Sequence, residues 1–205
     1  MTERIGLEAL TARLRDLARG PGRAMVALAG PPGAGKSHVT DALLAAVRGA
    51  ALLPMDGFHL DDRLLTARGD LARKGAPWTF DLDGFAVMLD RLAADDGRAV
   101  LAPVFDRDLE ISRAAAREIA PEARLILVEG NYLLLDQPGW RDLARHFALS
   151  VMLDVPEPVL RARLAARWRA LPPDQARAKL EGNDLPNMAL VLQASRAPDV
   201  ILPNG

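Results

Sequence analysis

Short apolar runs without polar alternation recur along the chain, separated by stretches whose apolar residues return every three or four positions. Residues 24–29, 50–54, 99–102, 125–128, 149–153 and 200–202 are runs of the first kind. Such runs suit strands buried on both faces, and 125–128, Leu-Ile-Leu-Val, is the strongest. Residues 3–19 place Ile5, Leu7, Leu10, Leu14 and Leu17 on one stripe and predict an amphipathic helix, stopped by Gly20-Pro-Gly22. Helices are also expected at about 35–48, 82–94, 140–146, 156–170 and 174–194, with Pro172-Pro173 dividing the last two. The polar, Gly-containing segment 61–77 reads as a surface excursion. Strands alternating with helices predict an α/β fold, a parallel sheet with helices on both faces.

The chain's 205 residues correspond to one domain, with a small helical lid expected at about 160–178. Half the residues are hydrophobic, enough for a substantial core. Lys and Arg number 26 and Asp and Glu 27, so the net charge of −1 supplies no general field for nucleic acid or an anionic membrane. The absence of cysteine excludes disulfides, thiolate metal sites and a Cys nucleophile. The beginning of the chain lacks the uninterrupted apolar stretch of a signal peptide, and no run approaches the roughly 18 apolar residues of a membrane span. These features lead to the expectation of a cytoplasmic protein acting on a small molecule; the oligomeric state stays open.

Chemistry enters at Gly30-Pro31-Pro32-Gly33-Ala34-Gly35-Lys36-Ser37. This matches G-x-x-x-x-G-K-[ST], the phosphate-binding loop. Its glycines let backbone N–H groups close on phosphates, its lysine reaches the β- and γ-phosphates, and its hydroxyl binds Mg²⁺. The residue frequencies make roughly 0.001 such matches expected by chance in this chain. The following helix, entered at His38, turns its positive end toward the same anion. Residues 30–38 are therefore the expected ATP site.

Ligands of such sheets lie at the carboxyl ends of strands. Asp56, just past the second strand, is placed to orient an acceptor hydroxyl and take its proton. Glu129, ending the 125–128 strand, is placed to hold Mg²⁺ with Ser37. Arg163 and Arg167 stand four apart on one helix face, where they can neutralise a transferring phosphoryl group together with Lys36. His59, Asp81, Asp106 and Arg107 are the candidate acceptor-binding groups, while His38 beyond the loop and His146 read as structural. Two D-x-x-G matches, Asp81–Gly84 and Asp136–Gly139, leave a GTPase-like switch as the alternative of another class, but the chain has no Asn-Lys pair of the kind that reads guanine.

Together these motifs resemble the P-loop kinases of the uridine kinase, phosphoribulokinase and bacterial pantothenate kinase group. The carriers, in order, are 30–37, Met-Asp-Gly-Phe-His at 55–59, Gly-Ala-Pro-Trp-Thr-Phe-Asp at 75–81, Pro-Val-Phe-Asp-Arg at 103–107, Val-Glu-Gly-Asn-Tyr at 128–132 and Ala-Pro-Asp-Val-Ile-Leu-Pro at 197–203. The resemblance implies a P-loop NTPase fold and puts Asp56 on the catalytic aspartate, Glu129 on an acidic strand-end position, Arg163 and Arg167 in the lid, and Asp81, Asp106 and Arg107 on the acceptor side. Met-Asp-Gly-Phe-His-Leu-Asp-Asp at 55–62, Glu-Gly-Asn-Tyr-Leu-Leu-Leu-Asp at 129–136 and Gly-Asn-Asp-Leu-Pro-Asn at 182–187 are similar to a compact bacterial subgroup of nucleoside-kinase-like proteins, some of them described as fructose-transport-associated kinases. That likeness implies ATP-dependent transfer to a sugar such as fructose, with a nucleoside or pantothenate as alternative acceptors. Gly-Phe-His after Asp56 and the short Arg-Trp-Arg segment at 167–169 depart from the uridine kinase pattern.

Overall fold

The computed structural model describes residues 2–205. Six strands form one parallel sheet in the order β1 (Glu3–Arg4), β8 (Val200–Pro203), β7 (Leu149–Asp154), β2 (Ala24–Ala29), β6 (Leu125–Gly130) and β3 (Ala50–Pro54). The chain runs from β2 through α2 (Lys36–Ala46) to β3 on one side of the sheet. It later passes from β6 across β2 to β7 on the other. This reversal beside β2 opens a crevice at the strands' carboxyl ends, the place where open α/β sheets bind ligands.

Strand pleating sorts the core into two layers. Met25, Ala27 and Ala29 of β2 face α4 (Leu82–Ala94), whose Phe85, Met88, Leu89 and Leu92 are buried beside Ile126 and Val128. Val26 and Leu28 face the opposite way, with Leu125 and Leu127, and pack with α1 (Leu7–Ala18), α2 and α5 (Glu157–Arg167). Burial on both faces explains why these strands read as continuous apolar runs.

Several expectations are corrected. Glu3 and Arg4 are not helical. They pair in parallel with Val200 and Ile201, and the helix begins only at Leu7. The 99–102 strand does not join the main sheet. It is the start of β4 (Val100–Asp106), which pairs antiparallel with β5 (Ile111–Ile119), a strand the apolar pattern did not reveal. Most of β5 is solvent-exposed, so its sequence carries no core signal. The 61–77 excursion contains a further helix, α3 (Asp62–Arg68), capped by the Asp61 side chain accepting from the Arg63 N–H. Residues 141–146 form a 3₁₀ segment. The 174–194 helix is interrupted: α6 (Pro173–Lys179) and α7 (Leu185–Ala194) are joined by a π-helical turn, Leu180–Asp184. Among the described residues no helix is long and apolar enough to cross a membrane.

Candidate active site

The loop after β2 folds as the glycines require. Gly33 and Gly35 adopt φ of +82° and +80°, left-handed values that an L side chain adopts only at a cost. A Cβ on Gly35 would also lie 2.9 Å from Asn204 Nδ2. Asn204 donates to the Ala34 carbonyl at 2.7 Å, so the residue following β8 braces the loop from outside.

Lys36, the first residue of α2, turns back over the loop. Its ammonium donates to the carbonyls of Gly30 (3.0 Å) and Pro31 (3.2 Å) and to Asn131 Oδ1 (2.6 Å). Burial pulls its pKa from 10.5 down to about 8, against the opposing pull of Glu129 and Asp56 and with help from the nearby charges of Arg167 and Arg107. Lys36, Glu129, Asp56, Arg167 and Arg107 therefore share one electrostatic neighbourhood, although the sequence spreads them over 132 positions.

Ser37 Oγ donates to the Glu129 carboxylate, 3.2 Å from Oε1 and 3.4 Å from Oε2. Burial raises the Glu129 pKa, with Lys36 opposing. A hydroxyl and a half-buried carboxylate are hard oxygen donors of the kind Mg²⁺ takes when phosphates and water complete its shell. Among the described residues no group of three or more His, Asp or Glu side chains forms a closed protein cage for a metal. The donor set thus fits an ion held jointly with a nucleotide.

Asp56 sits in a 3₁₀ turn, Met55–Phe58, directly after β3. The turn packs against β4 so closely that a Cβ on Gly57 would lie 2.4 Å from the Pro103 carbonyl oxygen. From the end of β4, Arg107 donates to Asp56 Oδ2 at 2.5 Å. His59 is held between Phe80 and Phe105, with ring centroids at 4.2 and 4.4 Å. Its Nδ1 lies 2.7 Å from the Asp56 carbonyl oxygen. A carbonyl only accepts, so Nδ1 carries the proton and Nε2 is the acceptor. Burial lowers the pKa of His59.

The other sequence candidates separate. Asp81 Oδ1 accepts from the Gly84 N–H at 2.9 Å and caps α4, which also accounts for that D-x-x-G match. Asp106 pairs with Arg113 at 3.3 Å and accepts from the N–H groups of Asp108 and Leu109, closing the hairpin tip. Arg163 donates to the carbonyls of Gly33 and Asn204, tying α5 to the outside of the phosphate loop. Arg167, one helical turn on, is among the charges acting on Lys36. His38 is exposed on α2, and His146 is buried beside Asp90. Asn131 and Asn204 are site residues that the sequence did not single out; Asn131 lies two residues beyond Glu129, within Val-Glu-Gly-Asn-Tyr, whereas no motif marks Asn204.

No protein-family profile matches the chain. A Schizosaccharomyces pombe protein named "Putative uridine kinase C227.14" is 31% identical over 204 residues, covering 93% of this chain and 87% of that protein. The crystal structure of a "putative fructose transport system kinase" from Silicibacter sp. TM1040 superposes with a TM-score of 0.89 at 44% identity, covering 96% of this chain and 98% of the other. YFH7 from Saccharomyces cerevisiae shares the fold, with a TM-score of 0.83 at 18% identity over 98% of this chain. The chain belongs to the P-loop kinase family and is by class a phosphotransferase.

Proposed function

We propose that the protein transfers the γ-phosphoryl group of ATP to a hydroxyl of a small molecule, with a monosaccharide, fructose first, as acceptor. The observation that carries this reading is the facing arrangement of Lys36 with the Ser37–Glu129 pair on one side and Asp56 with Arg107 on the other, at the carboxyl ends of β2, β6 and β3.

In this reading the loop 30–38, through the backbone N–H groups that follow its two prolines, and the Lys36 ammonium bind the nucleotide phosphates. Ser37 and Glu129 hold Mg²⁺, whose chemistry when bound is neutralisation of charge on the β- and γ-phosphates. Asp56 aligns the acceptor hydroxyl and accepts its proton as the oxygen attacks phosphorus. Arg107 holds that carboxylate in place beforehand. Arg167 adds positive charge where negative charge accumulates on the transferring group. His59, neutral at pH 7, offers Nε2 to a second acceptor hydroxyl. Asp56, Arg107 and His59, with Phe80 and Phe105 already packed on the His59 ring, suit a polyol better than a stacked base, and the name carried by the Silicibacter protein points to fructose. The name of the S. pombe relative makes uridine the second reading.

Acceptor-dependent ADP release, measured with fructose, uridine and pantothenate in wild-type protein and the Asp56→Asn variant, tests this. The expected result is release with fructose that Asp56→Asn lowers by about 10²–10⁴-fold while ATP binding persists. Loss of ATP affinity at unchanged turnover would instead give Asp56 a metal-binding or structural role.

A further inference from the structure

The Gly182-Asn-Asp-Leu-Pro-Asn187 segment has no part in the chemistry above, yet the structure builds it in an unusual way. It straddles the end of the π-helical turn Leu180–Asp184 between α6 and α7. A π turn accommodates one residue more than an α turn, is rare, and is frequently found at functional sites. Its last two residues, Asn183 and Asp184, bond to different parts of the structure.

Asn183 Nδ2 donates to the Lys74 carbonyl at 2.6 Å, and its Oδ1 accepts from Asn187 Nδ2 at 3.0 Å. Asn187 Oδ1 in turn accepts from Arg73 at 3.3 Å. The Lys74 side chain reaches the other way, to Asp62 and the Glu110 carbonyl at the hairpin tip, and its ammonium lies 5.1 Å from the centre of the Phe105 ring that covers His59. Asn183 thus grips the loop that supports the proposed acceptor side.

Asp184 turns to the end of α5. Its side chain is only 9% exposed. Oδ2 accepts from Trp168 Nε1 at 2.7 Å and lies 3.7 Å from Arg167 Nη1. Fixing the indole needs an acceptor oxygen but no charge, and an asparagine supplies one. A buried carboxylate is costly unless a cation answers it, and the cation that answers this one is Arg167. Arg167 lies one helical turn beyond Arg163, which ties α5 to the Gly33 carbonyl of the phosphate loop, and its charge is among those acting on the Lys36 ammonium.

We infer that Asp184 is a positioning residue that sets the Arg167 guanidinium toward the phosphoryl-transfer site, and that the π turn, through Asn183, ties this setting to the acceptor-side loop. The inference rests on the reading of the site as a phosphoryl-transfer centre in which Arg167 acts. Displacing a catalytic group by 1 Å can cost about 10²-fold in rate. A carboxylate held rigidly between Trp168 and Arg167 is suited to prevent such a displacement.

The test compares Asp184→Asn, Arg167→Ala and the double variant. Asp184→Asn keeps the oxygen that the Trp168 indole needs and removes the charge. MgATP turnover is measured with water, fructose and uridine as acceptors, MgADP affinity by calorimetry, and folding by thermal melting. The expected result is a fall in kcat of about 10²-fold for Asp184→Asn, with MgADP affinity and the melting midpoint close to wild type. The double variant should lose no more than Arg167→Ala alone, because both changes remove one function. Wild-type kcat in Asp184→Asn beside an impaired Arg167→Ala overturns the positioning role and leaves the reading of the site intact. Wild-type kcat in Arg167→Ala, or no turnover of wild-type protein with any of the three acceptors, overturns the reading and the inference with it. Additive losses in the double variant, or a fall in kcat matched by losses of melting temperature and MgADP affinity, assign Asp184 a purely structural role. Asn183→Ala supplies the second arm: it should raise the KM of whichever acceptor turns over more than that of MgATP, and an unchanged acceptor KM removes the link to the acceptor side.

Discussion

Lys36 must carry a positive charge in a place that disfavours it. Burial brings its pKa from 10.5 to about 8, so in the absence of nucleotide it loses its proton just above neutrality. An anionic phosphate favours the charged form, so nucleotide binding takes up a proton once the pH exceeds about 8. The Kd for MgATP should then rise about tenfold per pH unit above that point, and calorimetry across pH 7–10 in buffers of differing ionisation heat will show the proton uptake. The sign for stability is opposite. Between about 8 and 10.5 the folded lysine is neutral while the unfolded one still holds its proton, so the unfolded chain binds more protons and Lys36 makes stability rise with pH. Urea unfolding over that window should show this rise in wild-type protein and lose it in Lys36→Met. Below about 8 both states are protonated and the buried charge opposes folding at its full cost. In Lys36→Ala transfer should vanish while the fold persists; turnover at the wild-type rate would remove the phosphate-site assignment. That Lys36, Ser37, Asp56 and Glu129 come together was legible in the sequence because each lies in a short motif beside an apolar strand. Asn131 and Asp184 were not, because their partners lie far away along the chain, and an amide or carboxylate says nothing by itself about whom it will meet.

At the scale of elements, the part hardest to read in the sequence is the part that carries Arg107. The main sheet announces itself because burial on both faces demands unbroken apolar runs. β5, Ile-Ser-Arg-Ala-Ala-Ala-Arg-Glu-Ile, stands largely in solvent and obeys no such demand. Its partner β4 was recognisable only over its first three residues, which reach the core through Val100 and Ala102. Likewise nothing in 174–194 marked the π turn that divides it, because α6 buries no residue and supplies no apolar stripe against which a change of register could be seen. The hairpin meets the Asp56 turn at Gly57, where a Cβ would press to 2.4 Å on the Pro103 carbonyl. Backbone cannot yield there as a flexible side chain would. Gly57→Ala should therefore cost about 1–3 kcal/mol of stability and shift Arg107 relative to Asp56. Urea unfolding gives the first effect. The second should appear as a loss of kcat greater than any loss of MgATP affinity, and a variant with wild-type stability and turnover would show that the hairpin is free to adjust.

The two sides of the proposed site come from different parts of the fold. The phosphate loop, α2 and α5 form one side. The Asp56 turn, the 61–77 segment and the β4–β5 hairpin form the other, and the reversal of strand order beside β2 brings the two sides together. A ligand that binds only the folded crevice stabilises the entire chain by mass action, by about 2.7 kcal/mol at one hundred times its Kd. For a protein of this size that corresponds to a rise in melting temperature of about 5–10 °C. MgATP at such a concentration should produce that rise in wild-type protein and little of it in Lys36→Ala. Asp56→Asn permits a further separation, because slow transfer leaves both substrates bound together. In that variant, with MgATP already saturating, addition of the true acceptor should raise the midpoint again. Fructose is expected to do so and uridine is not, since a ribose makes the same hydroxyl contacts but its base needs a stacking platform, and Phe80 and Phe105 are already occupied with His59. A second rise with uridine and none with fructose would reassign the acceptor to a nucleoside while leaving the phosphate side as described. A rise with fructose before MgATP is present, and none after it, would mean that the sugar competes for the nucleotide side, and the division of the crevice into a donor half and an acceptor half would have to be abandoned.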